Sequence, residues 1–424
     1  MTTEFDQIRP YNDGEVRPAI DSLLQDRQFS HILKNFVPIL PLGMSRGVLK
    51  LATLGIHSTL DFQLRFMKPV VNYVLRKCST GHTFRHDGIA PSPERYTFIS
   101  NHRDIVLDSA ILDVMLHDAN FPTTCEIAIG DNLLIYPWIR TLVRLNKAFI
   151  VRRNISRREL YESSLLMSRY MHHVIQEKRE NIWIAQREGR AKDSSDHTQE
   201  SLLKMLTLAA TEETENGRSS ESHRTSTNGR VASDEGKAKT EVLIESIRAL
   251  NLVPLAISYE YDPCDYLKAK EFQQKRDDPA WKKTKQDDLT NMKTGIFGQK
   301  GHVHYQTGRP VNQWIDEIVS SIRLRNGEEQ EVEKSEFFAE LARRIDIEIY
   351  RNYSLFPSNY VAADLLKGQP THAQHYTHKQ LLDFEKYIKA RIALIDLPNR
   401  DEDFLRERLL TMYANPVLNY EKAR

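Results

Sequence analysis

The chain has 424 residues, of which 28% are charged and 40% hydrophobic, with a formal net charge of +1. That length suits one large domain with additions, or two domains. The balanced charge gives no bulk attraction for nucleic acid, and three scattered cysteines (Cys78, Cys125 and Cys264, with no C-x-x-C pair) argue against a disulfide framework and suit a reducing compartment.

The first residues, MTTEFDQIRPYND, are polar and acidic and do not read as a secretory leader. The most apolar early stretch, 36–55, is broken by Pro38, Pro41, Arg46 and Lys50. No window reaches the roughly 18–20 apolar residues of a spanning helix, so any membrane contact is expected to be peripheral. Residues 1–85 are expected to form a helical region, with helices over 22–36, 45–56 and 61–77, the last interrupted by Pro69. That last segment, DFQLRFMKPVVNYVLRK, mixes large apolar residues with Arg65, Lys68, Arg76 and Lys77. It suits packing on a neighbouring domain with the basic residues in solvent, and less strongly an anionic membrane surface.

From Tyr96 the pattern alternates. Strands are expected at 96–100, 124–129, 148–152, 181–185, 253–259 and 302–307, and helices at 105–116, 134–145, 157–178 and 198–208. This predicts an α/β fold: a mixed, mostly covered sheet of about six strands with flanking helices, and helical N- and C-terminal extensions. Residues 86–330 are expected to hold the functional domain. Within it, 211–239 has almost no large apolar residue and reads as a mobile polar insert, and 268–293 as an exposed helix-and-loop excursion. From about 331 to 424 the strands stop; helices are expected around 337–349, 380–395 and 402–412.

The chain is organised around Tyr96 to Leu112, YTFISNHRDIVLDSAIL. Its first five residues read as a buried strand, and Ile105, Leu107, Ala110, Ile111 and Met115 recur at helical spacing after Asp104, a plausible cap. Asn101, His102, Arg103 and Asp104 therefore occupy the turn from a strand's carboxyl end to a helix's amino end, where open α/β sheets place ligands. A histidine there, with carboxylates two and six residues on, has the parts of a general base and its orienting partner. It is also compatible with an ordinary polar loop residue beside two helix-start acids. His302 and His304 on a strand, and His172-His173 on a helix, lack ligands at zinc spacing, so no metal is expected.

Four ordered blocks, spanning about half the chain from Arg95 to Pro310, resemble those of the glycerolipid acyltransferases, the family of lysophosphatidic acid and glycerol-3-phosphate acyltransferases. The family's N-H-x-x-x-x-D is matched by Asn101-His102, with Leu107 at the aspartate's place and Asp108 one residue later. G-x-x-F-I-x-R appears as Asn146 to Arg152, with Asn146, the non-glycine that best tolerates a left-handed backbone, for the glycine. F-P-E-G-T-R appears as Ala185-Gln186-Arg187-Glu188-Gly189-Arg190, without the threonine. The strand with an embedded proline is Leu252-Val253-Pro254-Leu255-Ala256-Ile257.

The resemblance implies transfer of a fatty acyl group from acyl-CoA or acyl carrier protein, as co-substrate with no bound cofactor, to a hydroxyl of lysophosphatidic acid or glycerol 3-phosphate in phospholipid biosynthesis. His102 is then the base, with Asp108 or Asp104 holding its tautomer. Asn101, Arg103, Arg152, Glu188, Gly189 and Arg190 become substrate-binding residues, with Arg152 and Arg190 converging on phosphate, and Pro254 belongs to the acyl site. Asp262 and Asp265 read as helix caps, and Cys264, without a basic neighbour in sequence, is disfavoured as a nucleophile. The implied location is cytoplasmic and peripheral on a membrane, with no nucleic-acid partner. An amino-acid lipid or other hydroxy-lipid as acceptor, or a non-catalytic lipid-binding homologue, are the competing readings.

Overall fold

A computed structural model describes residues 3–36, 47, 50–51, 53–153, 155–212, 231–326 and 332–424. Helices α1 (Asp13–Gln25) and α2 (Arg27–Phe36) lead to a helical run that begins at Thr59 and ends as α3 (Lys68–Cys78). Pro69 does not break this run. The preceding turn, Phe62–Met67, is a π-helix, and Lys68 N–H bonds Gln63 O, so the register is already widened where proline removes a donor. On α3, Val71, Val74, Leu75 and Cys78 are buried against the sheet, which is the packing role the pattern favoured. Of the expected 45–56 helix, residues 45, 46, 48, 49 and 52 lie outside the described residues, 47, 50 and 51 are helical and 53–55 form a turn; the apolar 37–42 stretch lies wholly outside them.

The order then runs β1 (Gly81–Arg85), β2 (Thr97–Ser100), α4 (Leu107–Asp118), β3 (Cys125–Gly130), α5 (Pro137–Leu145), β4 (Ala148–Val151), α6 (Arg157–His173), β5 (Asn181–Ala185), α7 (Glu200–Leu206), α8 (Val231–Leu250) and β6 (Leu252–Tyr259). It continues with α9 (Asp265–Asp277), α10 (Lys285–Phe297), β7 (His302–Thr307), α11 (Ile315–Asn326), α12 (Lys334–Arg351), α13 (Pro357–Lys367), α14 (His378–Ala393) and α15 (Glu402–Ala423). The protein is α/β. Seven strands form one sheet in the order β1-β7-β6-β2-β5-β3-β4, parallel except where β7 runs against β6.

Alternation along the central strands feeds two cores. Ile99, Ile182, Ile184, Leu252 and Ala256 join α6, α7, α8, α11 and α12 on one face. Phe98, Trp183, Val253, Leu255 and Ile257 join α3 and α4 on the other. The edge at β4 is covered by the N-terminal segment, where Ile150 N–H donates to Ile8 O at 2.9 Å. Helices α13, α14 and α15 build a separate core with Ala269 of α9.

The mixed, covered sheet is as expected, with β1 as a strand beyond the six read from sequence. One expectation needs correction. Of the polar insert expected over 211–239, residues 213–230 lie outside the described residues, but 231–239 is the first half of α8. Its second half buries Leu243, Ile244, Ile247 and Leu250, and a helix anchored there propagates through the Glu-, Lys- and Ala-containing turns before it.

Candidate active site

β2 ends at Ser100 in the middle of the sheet, flanked by β6 and β5. The chain beyond must leave the sheet and start α4, and three side chains shape that turn. Asn101 is fully buried and acts as a surrogate peptide: its Nδ2 donates to Ile257 O at 2.9 Å, and its Oδ1 accepts from Ile257 N–H at 2.8 Å. Asp104 Oδ1 accepts from the N–H groups of Val106 and Leu107, both at 2.8 Å, capping α4. Asp108, the second residue of α4 and fully buried, reaches back over the turn.

His102 Nδ1 lies 2.8 Å from Asp108 Oδ2, and that oxygen also accepts from the N–H groups of Arg103 at 2.7 Å and Asp104 at 3.0 Å. The other oxygen, Oδ1, accepts from the Tyr259 hydroxyl at 3.1 Å. Burial first, then Tyr305 and Asp108, raise the Tyr259 phenol far above its ordinary value, so it stays a donor. The His102 ring sits edge-on to Trp183, 5.7 Å between centroids, and the Trp183 indole donates to Ser100 Oγ at 3.1 Å. Nε2 is thus left for a substrate while Nδ1 is committed to a carboxylate.

Asp104 serves a different role from Asp108. Burial and the adjacent Asp108 push its carboxyl above the ordinary carboxylate range, opposed by the capped N–H groups and by Lys300. Its second oxygen faces Gly295 of α10, where a Cβ would stand 2.0 Å away. Lys300, buried beside it, donates to Ile296 O at 3.1 Å and Gly298 O at 2.8 Å, closing the end of α10.

The other expected residues separate into distinct places. Arg103 is no open grip: its guanidinium is buried against Asp196, Nη2–Oδ2 2.6 Å and Nη1–Oδ1 3.2 Å. Tyr353, two residues past the end of α12, donates to the same Asp196 at 2.6 Å, so the C-terminal region supports the turn. Removing one partner of such a buried pair costs about 3–5 kcal/mol, because the other charge is stranded. Asn101 and Arg103, expected on the substrate, are therefore parts of the scaffold.

Arg152 and Arg190 do not converge. Arg152 is exposed and donates to Gln7 Oε1 at 3.1 Å, on the β4 edge, roughly 14 Å and three strand spacings from β2. Arg190 turns the opposite way and donates to Asn291 Oδ1 of α10 at 2.9 Å. Burial would lower the Arg190 guanidinium, but Cys264, Asp262 and Asp104 around it outweigh that and hold it above its ordinary value. Glu188 is exposed and pairs with Arg153 at 2.6 Å, and Gly189 takes φ +69°, a left-handed position. Asn146 does not: it has φ −85°, and the left-handed residue is Lys147 at φ +57°. Lys147 is pinned there by a buried ammonium that reaches Glu180 at 2.9 Å and Thr123 Oγ1 at 3.1 Å.

Pro254 lies buried in β6 opposite Ile99, just past the β7 ladder, where its missing N–H leaves no gap and its carbonyl accepts from Gly308 N–H at 2.7 Å. Asp262 does cap locally, accepting from Cys264 N–H at 2.7 Å, and it binds Lys268. Asp265 goes further and takes Tyr387 at 2.6 Å, Tyr413 at 2.8 Å and Arg391 at 2.5 Å, anchoring α14 and α15. The Cys264 thiol is pushed up to about 11, by burial first and then by Asp262, which keeps it from acting as a thiolate.

Tyr259 was missed from sequence, although Val253, Leu255, Ile257 and Tyr259 alternate onto the face that also holds Asp108. Asp196 and Gly295 carry no local signal, since their partners are distant in the chain.

Residues 83–206 match the family model described as Acyltransferase. No curated protein matches the chain. Among solved structures, the chain is similar to the 1-acyl-sn-glycerophosphate (LPA) acyltransferase PlsC from Thermotoga maritima, with 10% identity, 74% of this chain and 97% of that chain covered, and a TM-score of 0.34.

Proposed function

We propose, on the match of residues 83–206 to the Acyltransferase family model and the four sequence blocks, that this chain is a glycerolipid acyltransferase that moves a fatty acyl group from an acyl thioester, acyl-CoA or acyl carrier protein, to a lipid-precursor hydroxyl. The supporting observation is the arrangement of His102 and Asp108: Nδ1 held at 2.8 Å by a buried carboxylate that three other donors also fix. In this reading His102 Nε2 takes the proton of the acceptor hydroxyl as its oxygen attacks the thioester carbonyl. Asp108 stabilises the imidazolium that forms, and the proton then passes to the departing thiolate.

The acceptor is a glycerolipid precursor, lysophosphatidic acid or glycerol 3-phosphate. The reaction runs at a membrane surface, with exposed Leu51 and Leu54 on the docking side. Among the described residues no helix is long and apolar enough to cross a membrane.

The test is thioester consumption by the purified protein with and without acceptor, read together with product by lipid mass spectrometry. Acceptor-dependent thiol release with an acylated product is expected. No product with any donor and acceptor pair would remove the enzymatic reading in favour of a lipid-binding one.

A further inference from the structure

We infer that Arg187, rather than Arg152 or Arg190, grips an anionic head group of the acceptor; the inference rests on the acyl-transfer reading above. Strands β2 and β5 pair in parallel with Ser100 opposite Ala185, and Gln186 N–H donates to Ser100 O at 2.7 Å. His102 and Arg187 each follow two residues later, at the carboxyl ends of neighbouring strands. Gln186 faces the α12 side, where its Oε1 accepts from Thr198 at 3.5 Å. β5 ends at Ala185, and carrying its alternation two residues further assigns Arg187 to the opposite face, which carries Trp183 and the His102 ring.

Its partners distinguish it from the other arginines here. Arg103 is taken up by Asp196, Arg153 by Glu188 and Arg152 by Gln7. Arg190, whose Nη1 is also buried without a partner, is held by Asn291, with the carboxylates of Asp262 and Asp104 around it to balance its charge. Arg187 is half-buried, forms no ion pair or side-chain hydrogen bond among the described residues, and its Nε is buried without a partner. A guanidinium carries five donors in a planar fork. Leaving the buried Nε of that fork without a partner is costly unless a substrate completes it, and the fork matches a phosphate or a carboxylate equally.

The experiment compares wild type, Arg187→Gln and Arg187→Lys, after checking that their melting temperatures agree. The acceptors are lysophosphatidic acid, a hydroxyl-bearing N-acyl amino acid and uncharged monoacylglycerol. The first two separate a phosphate from a carboxylate as the anion. Arg187→Gln should lose roughly tenfold to a hundredfold in kcat/KM, through KM, on the anionic acceptor that the wild type prefers. Monoacylglycerol should be unaffected, and Arg187→Lys should recover part of the loss. An unchanged KM for the anionic acceptor, or an equal loss on monoacylglycerol, would overturn the assignment. A wild type that acylates none of the three would instead refute the acyl-transfer reading. Calorimetric titration with lysophosphatidic acid would then decide Arg187: weaker binding to Arg187→Gln supports it, and equal or no binding by both proteins overturns it.

Discussion

The Tyr259 hydroxyl donates to Asp108 Oδ1 at 3.1 Å, occupying the one carboxylate oxygen that His102 does not use. Tyr305 donates to the Asp108 carbonyl at 2.9 Å, so two strands of the sheet fix one residue of α4. Tyr259 holds the partner of the base rather than touching the reacting atoms. Tyr259→Phe should lower kcat about fivefold to tenfold, the worth of one hydrogen bond to a charged group, with KM for both substrates unchanged. A changed KM with intact kcat would contradict the positioning role.

The two acids of the turn should be separable. Asp104 caps α4, and Asp108 binds the imidazole. Asp108→Asn should therefore reduce turnover at least about a hundredfold with modest loss of stability. Asp104→Asn keeps an oxygen for the cap and should retain most activity. Activity abolished in Asp104→Asn but kept in Asp108→Asn would exchange the roles.

Gly295 sits inside α10, where alanine is intrinsically favoured by about 1 kcal/mol. Here the sign reverses, because a Cβ would fall 2.0 Å from Asp104 Oδ2. Relief needs α10 to lift or the His102 turn to shift, and overpacking of that kind costs about 1–3 kcal/mol. Gly295→Ala should lower both melting temperature and turnover; a more stable, fully active variant would show that α10 does not press on the site.

Away from the sheet, His372 bridges two carboxylates, Nδ1 at 2.6 Å from Asp364 and Nε2 at 2.8 Å from Glu421, joining α13 to α15. Burial would lower this imidazole, but Glu421 and Asp364 outweigh it and hold it above its ordinary value. A raised folded-state value means the stabilisation is full below the unfolded value, about 6.5, and is lost as pH rises through the folded one. The melting-temperature gap between wild type and His372→Gln should accordingly be widest near pH 6 and shrink toward pH 9. A gap independent of pH would show that the contact is not an ion pair.

Much of this arrangement was legible in the sequence, for identifiable reasons. The strand-turn-helix around His102 announces itself by a switch from a short β-branched run to helical spacing, and the buried central strands are apolar along their length. β1, GHTFR, was not legible because Phe84 is its only large apolar residue and its partner β7 comes over 200 residues later. The expected convergence of Arg152 and Arg190 failed for a related reason. Each does follow a strand, but strand order is not written locally, and β4 lies at the sheet edge while Arg190 crosses toward α10. Arg103 and Asn101 looked like binding groups because their partners, Asp196 and Ile257, are remote in the chain.

The most direct measurement is single-variant turnover of an acyl thioester by His102→Ala, alongside its melting curve. The ring is partly accessible and, among the described residues, makes one side-chain hydrogen bond, so its loss should leave the melting temperature nearly unchanged. Acyl transfer should fall at least about a hundredfold, the usual scale for loss of a general base. Wild-type turnover in a folded His102→Ala protein would contradict the mechanism.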